Sequence, residues 1–134
     1  MIKGIDHIGI AVSGHKKSIL KWEKLIGEKA GKSEQVEEQG VRLSKLKLKE
    51  GPVIELLAPI GEESPVGRFL KKKGEGIHHI CFQVVNLDSM VESLKKDGIR
   101  FVQEMPVTGS EGSRIIFIHP SVFNGVLIEL RESG

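Results

Sequence analysis

Only one cysteine, Cys81, occurs in the chain, so no internal disulfide is possible and a reducing, cytoplasmic setting is expected. Long hydrophobic runs are missing as well. None approaches the ~20 residues that a bilayer-spanning helix needs, so no membrane partner is expected. Charge of one sign is also scarce: a formal net charge of +2 is too small to argue for nucleic acid or an anionic surface as partner. Met1-Ile2-Lys3-Gly4 leads straight into a strand pattern, which leaves no signal peptide to expect. What is present is ordinary for a globular protein, with 39% apolar and 28% charged residues in 134. That length suits one compact domain, or two small modules sharing a core.

The informative feature is an internal echo. Ile5-Asp6-His7-Ile8-Gly9-Ile10-Ala11-Val12 returns as Ile77-His78-His79-Ile80-Cys81-Phe82-Gln83-Val84, with the histidines 79 − 7 = 72 positions apart. Val53-Ile54-Glu55-Leu56-Leu57 returns as Leu127-Ile128-Glu129-Leu130-Arg131, with the glutamates 129 − 55 = 74 positions apart. One His and one Glu therefore recur per half-chain at nearly constant spacing.

Patterning gives the order of elements. Residues 5–12 alternate as a strand, and a helix follows with Ser13 as cap, an apolar stripe of Ile19, Trp22, Leu25 and Ile26, and Gly27 as stop. Residues 31–39 are turn-like, with a short extra strand expected around 28–36, and 41–48 alternate strongly. The strand bearing Glu55 ends at Ala58-Pro59, because proline cannot donate to a ladder. Ser64-Pro65 opens a short connecting helix that Gly74 closes. The second half repeats the order: strand 77–85, helix 88–97 with Leu87, Met90, Val91 and Leu94 inward, a strand at 99–103, a glycine-containing loop at 106–112, and strands 114–118 and 125–130. This divides a single domain into module 1 (1–60), a connector (61–75) and module 2 (76–134).

Because side chains alternate along a strand, His7, His79, Glu55 and Glu129 all lie out of phase with their large aliphatic neighbours. They are expected to point away from the face that amphipathic helices cover, onto a face of small and polar residues (Gly9, Ala11, Cys81, Gln83). A carboxylate set twice into an apolar strand is costly unless compensated, and a divalent cation compensates it directly. Imidazole with carboxylate suits Co²⁺, Mn²⁺, Ni²⁺ or Zn²⁺ rather than Ca²⁺ or Mg²⁺. A lone strand histidine or glutamate would be read as structural; the in-phase repetition of both favours a metal site of His7, Glu55, His79 and Glu129.

At these residues the chain resembles the vicinal oxygen chelate superfamily, and within it the methylmalonyl-CoA epimerases. The resemblance spans nearly the whole chain. It rests on Ile5-Asp6-His7-Ile8, Glu38-Gln39-Gly40-Val41, Ile54-Glu55-Leu56-Leu57-Ala58-Pro59, Gly76-Ile77-His78-His79-Ile80, Ile118-His119-Pro120 and Gly125-Val126-Leu127-Ile128-Glu129-Leu130. It implies an α+β fold of paired βαβββ modules, whose mixed sheet curls around a metal-lined cleft. His7, His79 and Glu129 match the family's metal ligands, Glu55 stands where some members carry Gln, and cobalt is the first choice of ion. His78 is read as structural, or as a support for the neighbouring ligand, and not as a ligand itself. A homodimer and an acyl-CoA substrate are implied too.

The implied reaction interconverts the (R) and (S) forms of methylmalonyl-CoA at C2. A two-base route needs an acid/base group on each face of the reacting centre. Glu129 is the candidate for one. The family's second Glu is expected on the strand after Gln39-Gly40-Val41, but Leu43 stands at that position, beside Ser44 and Lys45. Lys45, Glu55 or a bound water remain as alternatives. Arg68, Lys71, Lys72 and Lys73 invite contact with CoA phosphates, although lysines at a helix C-terminus complement its dipole without any ligand. The rival readings are a glyoxalase I-type lactoylglutathione lyase and a non-catalytic metabolite-binding module of the same fold.

Overall fold

The alternation that opens the chain forms β1 (Ile2–Ala11), the start of a run of eight strands and three α-helices in a computed structural model that describes residues 2–133. These residues divide into two units, His7–His78 and the residues up to Asp6 with those from His79 onward. They are called here the amino-terminal and carboxy-terminal units.

The amino-terminal unit holds the latter part of β1, α1 (His15–Ile26), β2 (Glu34–Val36), β3 (Val41–Leu46), β4 (Val53–Pro59) and α2 (Pro65–Lys73). Its strand order is β2-β3-β4-β1, with β1 parallel to β4 and the other pairs antiparallel. Against one sheet face, Ile19, Trp22 and Ile26 of α1 pack on Val12, Leu46, Leu56 and Ala58. Full burial of a side chain such as Leu46 or Leu56 contributes about 1.5–3 kcal/mol. Leu25, expected in that stripe, is instead 76% exposed, since the helical step carries it off the line through residues 19, 22 and 26. The cap also differs from expectation. Gly14 occupies the N-cap position without a side-chain bond, while the Ser13 amide and hydroxyl both donate to Glu75 Oε2 at 2.8 and 3.0 Å. Gly27 ends α1 as expected, at φ 82° in the left-handed region.

The connector helix α2 proves to be a core element. Ser64 Oγ accepts from the Gly67 amide at 3.1 Å, and Val66, Phe69 and Leu70 close an apolar cluster with Ala11, Val36, Val41, Leu43 and Leu57. Leu57 alternates with Glu55 on β4, so the Glu55 face of this unit carries its own hydrocarbon rather than only small and polar residues.

The carboxy-terminal unit holds most of β5 (Gly76–Val84), α3 (Leu87–Lys96), β6 (Val107–Thr108), β7 (Arg114–Ile118) and β8 (Ile128–Glu132), with the strands in the order β5-β8-β7-β6. β5 and β8 are parallel; β8 with β7 and β7 with β6 are antiparallel. Met90, Val91 and Leu94 of α3 join Val84, Leu87, Ile116, Ile118 and Leu130 in its core. The expected strand at 99–103 is reduced to one bridge, Phe101 to Ile118. The Phe117 amide there donates to the Gln103 side chain at 2.9 Å rather than to a backbone carbonyl, which ends the ladder. The last strand begins at Ile128, later than expected, because the Gly125 and Val126 amides are spent in a turn on Pro120 O and Phe123 O. Each half thus runs βαβββ, with β2 and β6 as the short third partners.

Candidate metal centre

Strand register sets each half of the site in the same way. In the amino-terminal unit Gly9 of β1 faces Glu55 of β4, and His7 lies two residues earlier on the same side. In the carboxy-terminal unit Cys81 of β5 faces Glu129 of β8, and His79 lies two residues earlier. Both arrangements bring imidazole to carboxylate. His7 Nδ1 is 3.3 Å from Glu55 Oε2, with side chains 3% and 4% exposed. His79 Nε2 is 2.9 Å from Glu129 Oε1, with side chains 5% and 8% exposed. The four expected residues are therefore found as two buried histidine–carboxylate pairs, one per unit.

The third strand of each unit supplies a different neighbour. Phe117 of β7 is opposite Glu129, and its ring meets the His79 ring edge-on at 5.5 Å, which orients the imidazole. Lys45 of β3 is opposite Glu55, half-buried on the same face. Leu43, where the family's second acid was expected, is buried among Val36, Val41 and Leu57 and has no acid/base capacity. Ser44 turns to the other face, where its buried Oγ lies 3.1 Å from His15 Nε2. Burial first, and the Arg42 guanidinium second, hold His15 below the ordinary histidine value.

Among the remaining expected residues, His78, Lys71 and Lys73 have local partners. The His78 ring stands edge-on to Phe69 at 4.9 Å, a packing role for the neighbour of His79. Lys71 Nζ lies 3.4 Å from Glu62 and 3.9 Å from Glu63, and Lys73 lies over the Phe69 ring. Two residues of note were not anticipated. Phe117 was detectable only as the in-phase position of β7. Arg131 lies two residues beyond Glu129, where its Nη1 contacts Asp6 at 2.9 Å.

The fold of two βαβββ halves is that of a known superfamily. The model of the Glyoxalase/Bleomycin resistance protein/Dioxygenase superfamily matches residues 6–117, and the chain belongs to that superfamily. Among its relatives, the ethylmalonyl-CoA/methylmalonyl-CoA epimerase of Cereibacter sphaeroides is 34% identical over 134 residues, covering 98% of this chain and 99% of the relative. The mitochondrial methylmalonyl-CoA epimerase of Bos taurus is 35% identical over 130 residues, covering 96% of this chain and 74% of that one. A solved Streptomyces coelicolor methylmalonyl-CoA epimerase in complex with 2-nitronate-propionyl-CoA superposes with a TM-score of 0.95 at 37% identity, covering 100% of this chain and 99% of that chain.

Proposed function

We propose that this chain is an epimerase that interconverts (R)- and (S)-methylmalonyl-CoA. The observation that carries the reading is a buried His–Glu pair repeated in both units of a chain that is similar to such epimerases from end to end. Two imidazoles and two carboxylates form a nitrogen and oxygen donor set that fits a divalent transition ion, and burying two acids among hydrocarbon favours one. We assign His7, Glu55, His79 and Glu129 as the residues that hold it, with Co²⁺ first and Mn²⁺, Ni²⁺ or Zn²⁺ as alternatives. When bound, the ion supplies Lewis-acid stabilisation to substrate oxygens where negative charge develops.

The chain's own chemistry is proton movement at C2. That carbon lies between a thioester and a carboxylate, so removing its proton leaves the electron pair delocalised onto the thioester oxygen. Glu129 is assigned as one acid/base: a carboxylate oxygen takes the C2 proton from one face of one stereoisomer, and protonation of the opposite face then gives the other. Inversion needs a second group, and with Leu43 apolar, the cross-strand neighbours Glu55 and Lys45 are the candidates the amino-terminal unit offers. The burial of both His–Glu pairs keeps bulk water from reprotonating at random. A homodimer and a cytoplasmic location belong to the same proposal, to be checked by sedimentation and fractionation. The deciding experiment follows exchange of the C2 proton of methylmalonyl-CoA with deuterated water, with and without added Co²⁺. Exchange with inversion is expected; no exchange under either condition overturns the reading.

A further inference from the structure

Arg131 has no part in the chemistry above, yet it stands on the same strand face as Glu129, two residues along β8. Its guanidinium is bracketed by two acids. Nη1 meets Asp6 Oδ2 at 2.9 Å, and Nη2 lies 4.0 Å from Glu111 Oε1. The Arg131 side chain is 12% exposed, whereas that of Glu111 is 64% exposed. Glu111 is the tip of a small loop whose base is closed: the Gly109 amide donates to Ser113 O at 2.9 Å and Ser113 Oγ donates to Ser110 O at 2.7 Å. Gly109 sits so close to β7 that a Cβ there would lie 2.8 Å from Ile115 Cγ2. Ile115 is in turn the cross-strand neighbour of Arg131, as Phe117 is of Glu129. At the tip Glu111 adopts φ 54°, ψ 34°, a left-handed conformation that non-glycine residues seldom take. That conformation coincides with the contact between its carboxylate and the guanidinium.

We propose that Arg131 is a positioning residue for the reaction, strapping the loop at residues 109–113, through Glu111, to the strand that carries Glu129. The inference rests on the epimerase reading for its effect on turnover, but the strap itself does not. Asp6 holds the guanidinium firmly, and Glu111 is its releasable partner. The loop tip and the catalytic carboxylate are thereby held on the same two strands, and a partly exposed ion pair contributes to keeping the loop closed. Because that pair is screened by salt, its grip weakens as ionic strength rises.

The test is Glu111→Gln, which leaves the Arg131–Asp6 contact in place. In the unliganded full chain, amide hydrogen exchange at residues 109–113 is expected to accelerate by about threefold to fivefold, the size of effect an exposed ion pair has. KM for methylmalonyl-CoA is expected to rise by a similar factor with kcat unchanged. The ratio of variant to wild-type KM should shrink toward one in high salt, and Arg131→Lys should retain most of the wild-type KM where Arg131→Met does not. Unchanged exchange in E111Q overturns the strap. Faster exchange with unchanged KM overturns the positioning role. A wild-type chain without epimerase activity defeats the functional reading and the positioning role with it, while hydrogen exchange still decides whether the strap exists.

Discussion

The two His–Glu pairs are built on matching strand positions and have diverged around them. In the amino-terminal unit Gly9 and Lys45 flank Glu55 across the strands; in the carboxy-terminal unit Cys81 and Phe117 flank Glu129. His7 presents Nδ1 to its acid, and His79 presents Nε2. The outer surroundings differ too, because α2 closes a hydrocarbon cluster on the Glu55 face. The difference teaches that strand register alone suffices to juxtapose imidazole and carboxylate twice. What varies is the third strand, which surrounds one pair with an aromatic ring and the other with a cation.

The sharpest way to break this comparison is to neutralise each acid in turn. Glu129→Gln should slow C2 proton exchange by about 10²–10⁴-fold, the range for loss of a general acid/base. Glu55→Gln, which keeps an oxygen ligand, should cost much less. Equal losses in single-turnover exchange would mean that the two acids share one role.

Metal addition tests whether both units contribute ligands. Co²⁺ at a hundred times its Kd should stabilise the fold by about 2.7 kcal/mol, read as a rise in Tm. The rise should vanish in His7→Ala and in His79→Ala alike. A rise that survives either substitution would remove that histidine from the ligand set.

Packing around the pairs should be unequal. Phe117→Ala removes a half-buried ring and its edge contact with His79, and should cost about 2 kcal/mol in urea unfolding. Lys45→Ala should cost less than about 1 kcal/mol. A larger loss from Lys45 would reverse the ranking of the two neighbours.

The smallest effect is a difference in acid sensitivity. His15 has a folded-state value held below 6.5 by burial and by Arg42, so the unfolded chain binds the proton more readily. Its contribution is present above about 6.5 and is lost as pH falls below it. Glu75 is lowered by the Ser13 amide and then the Ser13 hydroxyl, and its contribution disappears as pH falls from 4.5 toward its folded value. Asp88, lowered chiefly by its bond to Arg114, follows from 3.8 downward. Urea midpoints against pH should therefore show losses in the amino-terminal unit first, with His15→Gln abolishing the step just below 6.5 and leaving the others in place.

Much of the fold was readable from local rules. Pro65 after Ser64 and Gly27 after Ile26 mark helix ends through φ restriction and side-chain capping, and both hold in the structure. Period-two alternation located β1, β3, β4, β5, β7 and β8. The misjudged places are those where a distant group competes with the local pattern. Ser13 is drawn to Glu75, 62 positions away, instead of capping α1. Gln103 takes an amide that a strand carbonyl would otherwise have taken. Leu25 satisfies helix periodicity nearly as well as Ile26, and only the position of the sheet decides which is covered. The two His–Glu pairs, His7 with Glu55 and His79 with Glu129, were detectable because these residues repeat in phase. Arg131 was not, and Phe117 was so only as an in-phase position, because nothing in their own segments distinguishes a ring set edge-on to histidine, or an arginine strapping a loop, from any other strand residue.

The amino-acid order by itself determined the two-module plan, the alternation that turns each histidine and glutamate to a common side, and the absence of an acid at residue 43. These follow from chain geometry, which gives every strand a period of two whatever surrounds it. Tertiary structure alone decided which acid each imidazole meets, that α2 belongs to a core, and that Arg131 reaches both Asp6 and Glu111. Those contacts join residues up to 125 positions apart, and only the pairing of strands, not any local preference, brings such residues within a hydrogen bond of each other.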